Sequence, residues 1–302
     1  MLIDQAKATQ ILNSGGNVII PTETVYGLAG SIYHPHAIAE IYRLKNRPRS
    51  NPLIIHGSSV DQVLCLIKNP PESFFLLAEK FWPGPLTLIL EAAPHTLSHL
   101  STVAIRIPNH KETLALIEKT GPLAAPSANL SGKPSSTRLS HLEKDFGKDF
   151  PVLEGKEPRY GLESTVLGWI EGSWQILRYG CITQEMIEAV LGKEVSTSNL
   201  PISPGKNFKH YSPDATLLSL PEDLLSAQAV IGYENRSYRS LLPFYSLGLD
   251  SDPETIASRL FAILRKIDED GLQKVWIDKN LPQHGLYITI LERIERAGKT
   301  SL

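Results

Sequence analysis

Val18-Ile19-Ile20-Pro21-Thr22-Glu23-Thr24-Val25-Tyr26-Gly27 is the stretch from which the rest of the chain is best read. Gly15-Gly16 precede the apolar run, Pro21 closes it, and hydroxyls and a carboxylate follow at once. The pattern is that of a buried strand delivering polar groups onto a loop. A helical pattern from His36 to Leu44 comes next and runs into Lys45-Asn46-Arg47-Pro48-Arg49-Ser50-Asn51. A second apolar run, Pro52-Leu53-Ile54-Ile55, ends at His56. No acid lies between Glu40 and Asp61, while Arg43, Lys45, Arg47 and Arg49 supply positive charge and Pro48 and Pro52 stiffen the segment. Arginine forks match phosphate oxygens, so this loop reads as a phosphate cradle. A solvated basic loop is the equally weighted alternative.

At 302 residues the chain exceeds a typical single domain, so two domains are expected. Hydrophobic content of 42% and charged content of 21% are those of a soluble globular protein. A net charge of −2 supplies no global field toward nucleic acid or anionic lipid, so polyanion binding would have to be local. Cys65 and Cys181 show no CxxC spacing, and the nine histidines lack metal-ligand spacing. A disulfide framework or zinc site is not expected, and no metal ligand is assigned. No basic-then-apolar leader opens the chain, and no apolar run nears the roughly 18 residues of a membrane span. A cytoplasmic protein with no membrane partner is the expectation.

Outward from the opening stretch, Asp4 caps a first helix with Ala6, Ala8, Ile11 and Leu12 on one face. Helical patterns near Val60–Ile67 and Glu72–Phe81 lead to Trp82-Pro83-Gly84-Pro85, a turn, and then the strand Leu86–Leu90. Val103–Pro108 reads as a strand with Arg106 in its middle. A guanidinium among apolar neighbours needs a partner, either Glu23 or Glu163 or a ligand carboxylate or phosphate. After a helix over Lys111–Glu118, the short strand before Pro126 empties into a loop of hydroxyls, small residues and prolines, and Lys119–Leu142 is again free of acids. Strand ends of open α/β sheets are where ligands bind, so two acid-free loops point to an anion site. Glu163–Gly168 and Trp174–Gly180 read as a hairpin with Arg178 at its exit. A helix over Thr183–Leu191, Met186 and Ile187 inward, closes the first domain.

Gly192–Pro213 reads as a linker whose aromatic and basic second half, ending in His210-Tyr211, suits a lid. From Asp214 an αβ alternation resumes: strands Ala215–Leu218, Ala227–Tyr233, Phe244–Leu247 and Lys274–Ile277, helices Pro253–Ile267 and Gly285–Ala297. That pattern implies a small, largely parallel sheet. Expected bounds are 1–191 for a first domain, 192–213 for the linker or lid and 214–302 for the second domain. No GxxxxGK[ST], GxGxxG after a strand, HExxH or GxSxG occurs. A metal would therefore arrive with a nucleotide.

Taken together, these residues resemble the threonylcarbamoyl-AMP synthase family, built on the YrdC-like domain. The resemblance rests on Pro21–Leu28, Lys45-Asn46-Arg47-Pro48 with Asn51-Pro52-Leu53, Trp82–Thr87, Arg106-Ile107-Pro108, Ala125–Gly132 and Glu163–Val166, in the family's order. Ser203-Pro204-Gly205, His210–Pro213 and Gly285–Ala297 resemble its long, two-domain subclass. The resemblance implies a YrdC-like twisted α/β open sheet with a concave basic face, plus a smaller Rossmann-like α/β C-terminal domain. It implies a nucleotidyltransferase, an L-threonylcarbamoyladenylate synthase, converting ATP, L-threonine and bicarbonate to threonylcarbamoyl-AMP and pyrophosphate, with Mg²⁺ accompanying the nucleotide. The product would serve threonylcarbamoyladenosine modification of tRNA through a downstream transferase complex.

Carried over by the resemblance, Lys45, Arg47, Asn51, Thr102, Ser127, Asn129, Ser135, Arg178 and Tyr211 would form the nucleotide site. Thr22, Thr24, Tyr26, His56, Arg106, Ala125 and Ser164 would form the threonine site, Arg106 forking the carboxylate. Lys45, Arg47 and Arg106 would carry the chemistry and His210 with Tyr211 the lid. Lys206-Asn207-Phe208 depart from the family's usual linker, and Tyr179 replaces its usual proline. Two other readings are a double-stranded RNA- or tRNA-binding module using the basic face and a carbamoyl-transfer relative.

Overall fold

The computed structural model describes residues 1–94, 101–198, 211–238 and 241–298. The chain begins β1 (Leu2–Ile3), α1 (Gln5–Asn13), β2 (Asn17–Ile20), β3 (Gly27–Ser31), α2 (Pro35–Lys45) and β4 (Ile54–His56). It continues through α3 (Val60–Leu64), α4 (Glu72–Phe81), β5 (Leu86–Glu91), β6 (Thr102–Arg106), α5 (Lys111–Thr120) and β7 (Leu123–Ala124). Next come α6 (Leu139–Phe146), β8 (Val152–Leu153), β9 (Thr165–Ile170), β10 (Ser173–Arg178), α7 (Gln184–Leu191) and β11 (Ser196–Thr197). The last part holds β12 (Thr216–Leu218), β13 (Ala229–Gly232), β14 (Phe244–Ser246), α8 (Pro253–Glu269), β15 (Lys274–Ile277) and α9 (Leu286–Ala297).

Among the described residues, β1 to β11 form one mixed sheet in the order β1-β8-β2-β3-β7-β4-β6-β5-β9-β10-β11. A second sheet, β12-β15-β13-β14, is parallel throughout. This is the expected α/β open sheet with a smaller α/β layer beside it.

Strand alternation sorts the large sheet's residues between its faces. Ile55, Leu88, Ile105, Leu167 and Ile176 join Phe74, Leu77 and Ile187 in the core under α4 and α7. Their neighbours Ile54, Ile89, Ala104, Val166 and Leu177 form a smaller apolar floor on the opposite face. His56 and Arg106 share the phase of Ile54 and Ala104, so they rise from that floor.

Local signals explain the element ends. Asp4 accepts from the Lys7 N–H at 2.8 Å and caps α1, as expected. Asn46 stops α2 in the left-handed conformation at φ 50°, which asparagine tolerates, and Pro48 prevents resumption. Consequently Lys45 stays on the buried side of the last turn while Arg47 leaves in a new direction.

Three expectations need correcting. Met186 is 44% exposed, not inward with Ile187; neighbours on a helix are about 100° apart, and α7 buries only one narrow face. Ala6 of α1 is exposed, while Ala8 and Leu12 are buried. The stretch expected to be linker from Gly192 begins as β11, which pairs in parallel with β10 and extends the large sheet.

The two sheets share buried contacts. Tyr211 and Leu162 sit in the core formed by α8, α9 and the second sheet. Arg265 of α8 pairs with Asp145 at 2.6 Å and donates to the Pro134 carbonyl. Arg293 of α9 reaches Glu163 at 3.1 Å.

Candidate active site

The strand directions of the large sheet bring distant sequence to one end of it. β4 and β6 are parallel, with His56 opposite Arg106, so both side chains stand on adjacent strands at the same level. β5 is antiparallel to β6 and β9 is parallel to β5, which puts the start of β9, and Ser164 just before it, at that end. β10 returns antiparallel and places Arg178 opposite Val166. The Pro21–Tyr26 loop leaves β2, and Gly27 bridges Ser127.

One pocket results. From the predicted site residues it takes Thr22, Thr24, Tyr26, Arg47, His56, Arg106, Ala125, Ser127, Ser164 and Arg178. It also takes Val25, Gly27, Pro52, Ile54, Pro126 and Glu163, which sequence reading did not assign to the site. The enclosed volume is about 60 Å³, well short of the several hundred that cover a drug-sized ligand. A nucleotide would lie across the open mouth, not wholly inside.

Arg106 is 4% exposed, and of the two carboxylates proposed as its partner Glu23 is the one found beside it. Its Nη2 lies 2.7 Å from Glu23 Oε1, and its Nε donates to the Gly84 carbonyl at 3.1 Å. The Trp82–Pro85 turn therefore does more than reverse the chain, since it holds the guanidinium. The Glu23 contact is an ion pair without hydrogen-bond alignment, because both Glu23 carboxylate oxygens and Arg106 Nη2 have no hydrogen-bond partner among the described residues. Charge is balanced there while bonding capacity is not.

The hydroxyls are pre-aligned. Thr22 Oγ1 donates to the Val25 carbonyl at 2.6 Å and lies 2.8 Å from Thr24 Oγ1. Ser164 Oγ is 2.7 Å from Thr87 Oγ1, and Arg178 Nη2 donates to the Ser164 carbonyl at 2.8 Å and to its Oγ at 3.2 Å. Arg47 folds onto its own loop, its Nη2 donating to Asn51 Oδ1 at 2.7 Å and the Pro52 carbonyl at 2.9 Å. Asn51 thus acts on the pocket through Arg47.

Lys45 is 1% exposed and lies behind the pocket wall, donating to the carbonyls of Ser127 and Asn129. Asn129 accepts from Ser127 Oγ at 2.6 Å and donates to the Leu130 and Lys133 carbonyls, fixing the same loop. Ser135 donates to Glu163 Oε1 at 2.5 Å. Tyr211 does not line the pocket: it is buried against Phe261 and Arg293. His210 lies outside the described residues. Thr102 stands apart from the rest. It is exposed at the far end of β6, roughly 13 Å along the strand from Arg106.

Burial dominates the electrostatics. The Lys45 amine is held well below its ordinary range by burial, with the Arg47 charge acting the same way. Burial likewise lowers Arg178, and brings Arg47 down to about 10. His56 is lowered to about 3 by burial and then by Arg106, and His141 to about 3 by burial and then by Arg265. Both rings are therefore neutral at neutral pH. Between the ordinary 6.5 and about 3 the unfolded chain binds protons that the folded chain refuses. Stability must then rise with pH across that window and fall as pH drops through it, by up to about 1.4 kcal/mol per unit for each ring. A melting series from pH 7 to pH 5 should show this slope, and His141→Gln should reduce it. An unchanged slope would refute the assignment.

The family model described as "Telomere recombination" matches residues 10–180, and the one described as "Threonylcarbamoyl-AMP synthase, C-terminal domain" matches residues 182–298. The threonylcarbamoyl-AMP synthase of Bacillus subtilis (strain 168) is 38% identical, over 97% of this chain and 92% of that protein. The crystal structure of P. abyssi Sua5 complexed with L-threonine is similar with a TM-score of 0.88 at 32% identity, covering 99% of this chain and 97% of its own. E. coli YciO, at 20% identity and a TM-score of 0.52, covers 60% of this chain and shares the fold alone.

Proposed function

The chain belongs to the threonylcarbamoyl-AMP synthase family, and from that premise we propose that it joins L-threonine, bicarbonate and ATP into threonylcarbamoyl-AMP with release of pyrophosphate. The carrying observation is a single pocket in which Arg106 and His56 stand beside Arg47 and Arg178. The threonine amine attacks the bicarbonate carbon and water leaves, which gives an N-carboxylate. An oxygen of that group attacks the α-phosphorus and pyrophosphate leaves, which makes the enzyme a nucleotidyltransferase. Such a reaction needs positioning and neutralisation of developing charge, not a protein nucleophile.

In this reading Arg106 forks the amino acid's carboxylate, with His56, Thr22, Thr24 and Ser164 around its side chain and Tyr26 and Ala125 as wall. Arg47, aligned by Asn51, and Arg178 face the phosphates across the mouth. Lys45, Asn129 and Ser135 hold the nucleotide-side loop and its neighbours in place, and Mg²⁺ enters with the nucleotide as part of that substrate. Tyr211, with His210 beside it in sequence, would act on the nucleotide end indirectly, through its stacking on Phe261 and its contact with Arg293. Thr102, at the far end of β6 from the arginines, would reach only the end of the nucleotide away from its phosphates.

The division into a catalytic unit that runs on through β11, a connection from there to 213 and a smaller unit over 214–302 belongs to the same proposal. So does delivery of the product to a tRNA-modifying complex in the cytoplasm. Among the described residues no helix is long and apolar enough to cross a membrane, and both cysteines are free thiols. Incubation with ATP, Mg²⁺, bicarbonate and L-threonine should release pyrophosphate in a threonine-dependent manner. Release that ignores threonine, or none at all, would sink the reading.

A further inference from the structure

The pocket has one carboxylate in its lining, Glu163, and its charge is answered from the other sheet. Arg293, on the buried face of α9, is 0% exposed. Its Nε donates to Glu163 Oε2 at 3.1 Å, its Nη2 to the Tyr179 carbonyl at 2.7 Å and its Nη1 to Glu292 Oε2 at 3.0 Å. The guanidinium carbon also lies 5.0 Å from the centre of the Tyr211 ring. Ser135 takes the other Glu163 oxygen. One buried fork thus grips the carboxylate before β9 and the backbone immediately after Arg178.

We propose that Arg293 is a positioning residue for the nucleotide end of the pocket, turning Glu163 away from the substrate phosphates and leaving Arg178 free to meet them. A carboxylate beside a polyphosphate is repulsive unless it is paired, and a buried carboxylate that loses its partner seeks another cation. The available one is Arg178, whose charge Glu163 already stabilises along with that of Lys45. Loss of Arg293 would therefore act twice. It would put unbalanced negative charge at the phosphate end, and it would divert the guanidinium that faces the ligand. The second sheet then contributes a required charge to the site as well as packing area. This inference rests on the reading of the pocket as the ATP and threonine site.

The test is steady-state kinetics on the full chain with Arg293→Gln, Arg293→Lys and the pair Arg293→Gln/Glu163→Gln, with thermal melting alongside. Arg293→Gln should raise the KM for ATP about tenfold or more while the KM for threonine moves far less. Adding Glu163→Gln should bring the KM for ATP back to within about threefold of wild type, because removing both members of a buried pair is far less costly than removing one. Arg293→Lys keeps the charge without the span to Tyr179 and should fall between. A lowered melting point with unchanged KM for ATP would make Arg293 merely structural and overturn the proposal, as would failure of Glu163→Gln to rescue. If Arg293→Gln does not fold, the double variant decides: a near-native KM for ATP supports the proposal and a raised one overturns it. An inactive wild type would instead sink the synthase reading. Calorimetric binding of a non-hydrolysable ATP analogue to wild type and variants would still read the coupling, where equal affinities would overturn it.

Discussion

Arg106→Ala should abolish threonine-dependent pyrophosphate release while leaving the binding of a non-hydrolysable ATP analogue nearly intact. The effect is large because the substitution does two things at one place. It deletes the fork proposed for the amino acid's carboxylate, and it strands Glu23, a buried carboxylate 2.7 Å from that guanidinium with no hydrogen bond to it among the described residues. An uncompensated buried charge costs about 3–5 kcal/mol, and here it would repel the incoming carboxylate as well. Each 1.36 kcal/mol is tenfold, so a loss of roughly two to four orders of magnitude in kcat/KM for threonine follows. Adding Glu23→Gln should recover melting temperature without recovering threonine affinity. Isothermal titration with threonine reads the result, and an affinity within about threefold of wild type would count decisively against it.

Gly180→Ala should be the most damaging methyl group that can be added near the site. A Cβ there would lie 2.2 Å from the Thr165 nitrogen, 2.3 Å from the Ser164 carbonyl carbon and 2.6 Å from the Glu163 oxygen. All three are backbone atoms, so no rotamer change relieves the overlap. The start of β9 must separate from the end of β10, taking Glu163, Ser164 and Arg178 with it. Overpacking against backbone costs about 3 kcal/mol or more. Melting should drop by several degrees, and the folded fraction should release little pyrophosphate. A melting point unchanged within about 2 °C, with wild-type activity, would contradict the close approach.

Most of the architecture was legible because its long elements carry clean periodicity. Lys274–Ile277 and Glu72–Phe81 match their expected bounds, and the other longer elements lie within a few residues of theirs. The pieces that escaped are short or weakly patterned. β3 reads Gly-Leu-Ala-Gly-Ser, with no β-branched residue to mark it as strand, and β1, β8 and β11 are two residues each. α6 emerges from a hydroxyl- and proline-rich loop whose character masked it.

The site was legible wherever an unusual residue stood in an apolar context, as Arg106 does in β6. Glu163 appeared only as a candidate partner for Arg106, and Glu23 is the partner found. Nothing local could say which, because 83 residues separate Glu23 from Arg106 and the choice is made by sheet order. Arg293 escaped because within Glu292-Arg293-Ile294-Glu295-Arg296 it reads as one more charge on a mixed helix, and its partner lies 130 positions earlier.

The strand order β4-β6-β5-β9-β10 has a consequence for how the protein is born. A ribosome extrudes the chain from its N-terminus, yet the cavity has no Arg178 until more than half of the polypeptide has emerged, and the Arg293 that grips Glu163 comes later still. Ligands therefore have nothing complete to hold on a nascent chain. Their stabilising pull falls on the closing step, when the last helix docks, so a cell rich in substrate would favour completion of this fold over its half-made forms.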